Sequence, residues 1–217
     1  MRHLSSNLAL CCLRMQIEYF PGKYYLCAME KNQEYYNTFE NSLEQELMKV
    51  CSSLGVLDGT LLSSDDIDAK WKEMAPEYMV DAVREIISYP EVAVSWASYI
   101  GCAVAQWWDS DWGRNHNKTY KDLYGDRGFD NMDDHIVRDI LGYELNSNDA
   151  KMLVDIFRAC AHTTLTKIRR EQIEWQTTES YMVLAMAAKT MFRIGAAIHL
   201  HKLGYKFQKV QFNRRMN

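Results

Sequence analysis

Three prolines and ten glycines are few for a chain of 217 residues. A β-sandwich needs a turn roughly every ten residues, and turns draw on those two residue types, which argues against an all-β sandwich. The six cysteines, Cys11, Cys12, Cys27, Cys51, Cys102 and Cys160, include no C-x-x-C pair and no zinc-ligand spacing. Free buried thiols in a reducing compartment are therefore expected. No glycine-rich phosphate loop, no G-x-S-x-G elbow and no H-E-x-x-H occurs, which removes the commonest nucleotide, hydrolase and metalloprotease readings. An enzyme without those signatures stays open. Internal repeats, heptad arrays and low-complexity tracts are also missing.

What the chain does have is apolar mass, 47 % hydrophobic and 12 % aromatic, ample for a core. The stretch that organises it is Val92–Trp108, seventeen residues without a charge between Glu91 and Asp109. As a helix it would be ~26 Å long, short of the ~30 Å hydrocarbon layer of a bilayer, and Ser95, Ser98, Gly101 and Gln106 lower its apolarity. A buried helix is predicted rather than a membrane span. Ala97, Gly101 and Ala105 repeat every fourth residue and invite close approach of a neighbour, while Trp96, Ile100, Trp107 and Trp108 supply bulk on other sides.

Residues 1–28 read as an N-terminal extension, with Met29 a natural start. Leu8–Leu13 faintly imitates a signal peptide but is short and lacks a small-x-small cleavage site. Tyr36, Phe39, Leu43, Leu47, Val50 and Leu54 then predict a helix over 30–54, closed by Gly55. Ser63 and Ser64 before Asp65 and Asp66 mark a second helix start. Pro76 and Pro90 each suit a first helical position, so three pieces are predicted, 65–74, 76–88 and 90–108, the middle one burying Met79, Val83 and Ile86. A kinked continuous helix is the alternative.

Residues 109–131 break the pattern and read as irregular. A helix follows from Asp130 to Gly142; another, capped by Ser147 or Asn146, runs from Asn148 to about Trp175 with Leu153, Phe157, Cys160, Ala161, Thr164 and Ile168 in one stripe; and a last one, capped by Thr177 or Thr178, continues through Leu203 to Gly204. The last carries Leu184, Ala188, Met191, Ile194, Gly195 and Ile198 and is the expected partner of Val92–Trp108. The expected architecture is all-α: an irregular bundle of six to seven helices around 92–108, a helical domain over 29–204 and a basic tail over 205–217.

The net charge of −4 hides an asymmetry. Residues 30–88 hold thirteen acids and five bases, 109–149 ten and five, and 180–217 seven bases and no acid. The basic part is expected to lie across the acidic helices of the same or a neighbouring subunit. A nucleic-acid contact through Lys202, Lys206, Lys209, Arg214 and Arg215 is the minority alternative in an acidic protein.

Candidate chemistry is sparse. Asp155 and His162, seven apart on one helix with Arg158 adjacent, share a face as a carboxylate and imidazole of a general base would, but no nucleophile is placed beside them. Asp109, Asp111, His116, Asp133 and His135 are the weak metal candidates. The run from Asp109 opens somewhat like a calcium loop, but Gly113 and Tyr120 stand where ligands are required. His199 and His201 suit the negative end of a helix dipole. Trp107, Trp108, Trp112, Tyr120 and Tyr124 are candidates for an aromatic pocket, although core packing calls for the same residues. No cofactor is expected. These observations lead to a cytoplasmic, non-enzymatic interaction module that associates with itself or another protein. The alternative is a helical enzyme or a ligand- or metal-binding protein with a pocket near residues 107–135.

Overall fold

The computed structural model describes residues 22–59 and 61–206, with side-chain surroundings from Gln33 onward. The chain divides into two compact units, 1–38 and 39–217, and the boundary falls inside helix α1, Gly22–Ser53. In the first unit, Gln33 Nε2 donates to Asn37 Oδ1 at 3.0 Å, one turn along the helix. The core, the clefts and the candidate side chains belong to the second unit. Most of the expected N-terminal extension and, past Lys206, the expected basic tail lie outside the described residues.

Every regular element among the described residues is helical. After α1 come α2 (Asp65–Glu85), α3 (Pro90–Asn115), two 3₁₀ turns (Tyr120–Leu123 and Phe129–Asn131), α4 (Met132–His135) running into a π turn (Ile136–Ile140), α5 (Asn148–Arg170) and α6 (Thr178–Lys202). The starts follow local chemistry. Ser64 accepts from Asp66 N–H, Ser147 from Ala150 N–H, and Thr177 forms a reciprocal capping box with Ser180. Gly55 and Gly204 end α1 and α6 at φ of 70° and 94°, the left-handed conformation a Schellman cap requires; Val56 N–H then reaches Cys51 O, and Tyr205 N–H reaches Leu200 O.

Pro76 does not break α2, which runs through it in one piece. The core stripe Ile67, Trp71, Met74, Tyr78, Ala82 spans the proline, while Pro76 itself lies off that stripe and is exposed. The lost backbone bond is thus left on the wetter side, where water can satisfy the freed carbonyl. Pro90 does open a new helix, as its position predicts. Helix α3 passes Trp108 and stays regular to Ser110; Asp111 then leaves helical geometry at ψ 87°. There Asn115 Nδ2 donates to the Trp107 carbonyl at 3.1 Å, taking over a bond the helix no longer supplies. Helix α5 stops at Arg170, short of the expected Trp175.

Helix α3 is the axis of the core. Ala93, Val94, Ala97, Ile100, Cys102, Ala103, Val104 and Ala105 have no measurable exposure. Its main partner is α6, and the two cross at a pair of glycines. A Cβ on Gly101 would lie 2.7 Å from Ala196 N, and one on Gly195 would lie 2.7 Å from Ser98 Cα, so neither position has room for a methyl group. At this contact Ser98 Oγ–H donates to Met191 O at 2.9 Å and Cys102 S–H to Gly195 O at 3.3 Å. By length and composition α6 could cross a membrane, with 67 % of its most apolar window buried against the rest of the fold, as befits a core helix.

Candidate functional site

The sequence-derived candidates do not assemble into one centre. Asp155 and His162 are 78 % and 69 % exposed; Asp155 lies 3.9 Å from Arg158, and His162 faces Glu91 at 3.6 Å instead. The two thus do not meet each other, as a general base and its orienting carboxylate would have to. Of the acids, Asp109 accepts from Tyr205 Oη–H at 2.8 Å, and Asp111 accepts from Arg114 N–H at 3.2 Å and pairs with the Arg114 side chain. His116 Nδ1 meets the Trp112 carbonyl at 3.1 Å, and His135 Nδ1 meets Asp139 at 2.8 Å. Asp133 accepts from Asp134 N–H, and burial raises its carboxyl above the usual range. Among the described residues no three such side chains gather closely enough to hold an ion.

The aromatic candidates serve packing. Tyr120 and Trp107 are buried, the latter with Lys118 Nζ 4.7 Å above its ring. Tyr120 packs edge-on to Tyr78 at 6.4 Å and to Tyr124 at 5.3 Å, and Tyr124 Oη–H donates to Asp81 at 2.7 Å. With Trp96 against Phe129 at 4.0 Å, these rings nail the acidic loop onto α2 and α3. Trp108 donates Nε1–H to Asp66 at 3.2 Å and meets Tyr205 edge-on; Trp112 lies beside His116.

Charge on α6 is engaged within the chain. Lys189 pairs with Glu40 at 2.7 Å and Arg193 with Glu44 at 2.5 Å, while on α5 Lys167 reaches Glu46 at 3.2 Å. Lys202 pairs with Asp149 at 2.6 Å over the Tyr143 ring. Lys206, Lys209, Arg214 and Arg215 have no described side-chain surroundings. His199 departs from the dipole account. It is 3 % exposed with Nε2 2.9 Å from Gln106 Oε1, and burial, then Lys202, lowers its pKa to about 4. A neutral ring that donates to a glutamine gains nothing from the helix dipole.

The open feature lies elsewhere. Two adjoining clefts of about 260 and 710 Å³ share Ile86, Ile168, Arg169, Trp175, Ser180 and Leu184. They form one groove between the end of α2, the start of α3, the end of α5 and the first turns of α6. Val83, Ile87, Pro90, Leu165 and Tyr181 complete the larger part. Among the described residues, Arg169 is the one charged member of the lining. Ile87 is 78 % exposed and Trp175 59 %, and Tyr89, Val80 and Val92, near Ile87 in sequence, are exposed as well. The α5–α6 loop that edges the groove holds both non-glycine residues with positive φ among those described, Gln172 at 54° and Gln176 at 64°. Each costs about 1 kcal/mol in that conformation, and such strain gathers at working surfaces.

The spacing on α2 predicts a buried Val83, whereas it is 40 % exposed on the groove wall. The available signal was a second apolar set on α2, Val80 and Val83, outside the core stripe, together with Trp175 standing in a polar loop. No family model matches the chain, and neither the curated proteins nor the solved structures contain a match to it.

Proposed function

We propose that this chain is a non-enzymatic interaction module that self-associates, with the groove face as its contact surface. The observation that carries this is the size of the exposed apolar face. Aromatic side chains present ~150–250 Å² each when bare, so half-exposed Trp175 and Tyr181 with Val83 and Ile87 offer roughly 300–500 Å² on the groove itself, and exposed Val80, Tyr89 and Val92 lie near Ile87 in sequence. A monomer rarely leaves more than a few hundred Å² of contiguous apolar surface in water, and a stable dimer needs about 800 Å² per partner. A second copy fits because projecting Ile87 and Trp175 adjoin a hollow that apolar groups fill, and a two-fold contact requires one patch to hold both knob and hole.

Sedimentation equilibrium of the full chain tests this. The wild type should dimerise in the micromolar range, and Ile87→Asp or Trp175→Asp should raise the dissociation constant at least ~30-fold, the effect of a central hot-spot residue. A wild type that stays monomeric at high micromolar concentration refutes self-association. Saturable uptake of an apolar dye by that monomer would assign the groove to a small ligand instead.

A further inference from the structure

The strongest unexplained feature away from the groove is a pair of thiols. Cys51 lies in the last turn of α1 and continues its buried stripe Phe39, Leu43, Leu47. Cys160 sits mid-way along α5, on the stripe with Leu153, Phe157 and Thr164. The two are 109 residues apart in sequence, yet their sulfurs are 3.8 Å apart, and both side chains are fully buried. Both are free thiols. We propose that Cys51 and Cys160 form a latent disulfide site, which a peroxide closes to a cystine that locks α1 onto α5.

Three observations support this independently of the groove. First, the separation needs to close only to about 2.0 Å, within reach of side-chain rotation and small helix movement. Second, the pair is chemically unequal. The two sulfurs share one S–H···S contact that either can donate; it lowers the Cys51 pKa against the opposing effect of burial, while Cys160 is raised by that contact and by burial. Cys51 is thus the thiolate-forming member and Cys160 the resolving one. Cys102 is a built-in contrast: it donates to Gly195 O, its thiol is pushed up by burial, and among the described residues no second cysteine is paired with it. Third, Cys51 is two residues from the end of α1, beside exposed Ser52, Ser53 and Leu54. Helix ends open at little cost, giving a water-sized oxidant access that a mid-helix position would deny.

In the first step the Cys51 thiolate attacks hydrogen peroxide, the O–O bond breaks, and Cys51 sulfenic acid forms with hydroxide, which takes up a proton to leave as water. The Cys160 sulfur then attacks the Cys51 sulfur; the S–S bond forms, the S–O bond breaks, and the second oxygen leaves as water with the Cys160 proton. Two thiols are oxidised and one peroxide is reduced to two waters.

The test is to treat the full reduced chain with a small excess of hydrogen peroxide, alkylate it under denaturing conditions and map peptides by mass spectrometry, alongside thermal unfolding. The expected result is a Cys51–Cys160 cross-linked peptide, Cys102 still alkylated, and a melting midpoint raised by about 5–15 °C, as a long closed loop gives. A reductant should reverse both changes. Cys51→Ser and Cys160→Ser should each abolish the cross-link and the shift. Should either variant fold poorly, Cys102→Ser provides a further check, expected to keep both. Recovery of Cys51 and Cys160 as separate alkylated thiols, over-oxidation of Cys51 without a bond to Cys160, or pairing of Cys51 with Cys11, Cys12 or Cys27 would each overturn the proposal.

Discussion

Replacing Gly195 by alanine tests the helix crossing on which the core is built. A methyl group there would overlap the Ser98 carbonyl oxygen and have Ser98 Cα 2.7 Å away, against the 3.4 Å at which ordinary contact begins, so α3 and α6 must move apart. Separation stretches the buried bonds from Ser98 to Met191 O and from Cys102 to Gly195 O. Each is worth about 1 kcal/mol, and overpacking of a tight core costs a further ~1–3 kcal/mol. The higher helix propensity of alanine offsets about 1 kcal/mol. The net expectation is a loss of about 3 kcal/mol, or ~6–12 °C in melting midpoint for a chain of this size, read from urea and thermal unfolding by circular dichroism. Gly113→Ala is the matched control. That site is exposed, and a Cβ there meets only the flexible end of Asp111 at 3.3 Å, so its stability should stay within ~1 kcal/mol of wild type. A Gly195→Ala protein as stable as wild type would refute the close crossing.

Acid should destabilise the fold through His199. Its pKa is about 4 when folded against ~6.5 unfolded, so the neutral form contributes fully above pH 6.5, and stability is lost as pH falls from there toward 4. Between pH 7.5 and pH 5 this amounts to ~2 kcal/mol in urea unfolding, and His199→Gln, which stays neutral, should remove that part of the slope; an unchanged slope would count against a buried neutral ring. Asp155→Ala and His162→Ala should each leave stability within ~0.5 kcal/mol, as exposed residues outside a network do; a loss of several kcal/mol would show that they belong to a buried arrangement after all.

The fold was legible wherever one physical rule dominated. An uncharged run can only be buried, and small residues at four-residue spacing can only be useful where another backbone comes close, so α3 and its pairing with α6 follow from Val92–Trp108 and Gly195. The caps were legible only to within a pair of neighbours, of which Ser64, Ser147 and Thr177 are the ones used. Pro76 misled because its effect on a helix depends on which side meets water, and periodicity carries that information only if the stripe is traced across the proline. The end of α5 was overrun because Gln172 takes the left-handed position where glycine is the usual stop signal.

The candidate site was harder to read for a related reason. Aromatic and acidic residues cluster in 107–135, and composition alone cannot separate rings that line a cavity from rings that fill one. Tyr120 and Tyr124 pack the loop against α2, and Tyr124 spends its hydroxyl on Asp81. The groove residues come from four separate segments, and no local pattern announces that Val83, Leu165, Trp175 and Tyr181 meet. The signals that could have found the groove were the second apolar set on α2, Val80 and Val83, and Trp175 in a polar neighbourhood.

The two sides of the helical unit differ in chemistry, and this bears on how it would associate. Toward α1, bases of α5 and α6 are matched by Glu40, Glu44 and Glu46, so complementary charge is satisfied within one chain. Around the groove the described lining holds a single charge, and apolar groups are left in water. Among the described residues of α5 and α6, charge attraction between copies is thus largely used up, whereas apolar attraction at the groove is not. Association through the groove should therefore hold or tighten as salt rises, because screening weakens exposed ion pairs and added salt strengthens apolar burial. A dimer that falls apart in salt would have to be held by charged segments elsewhere.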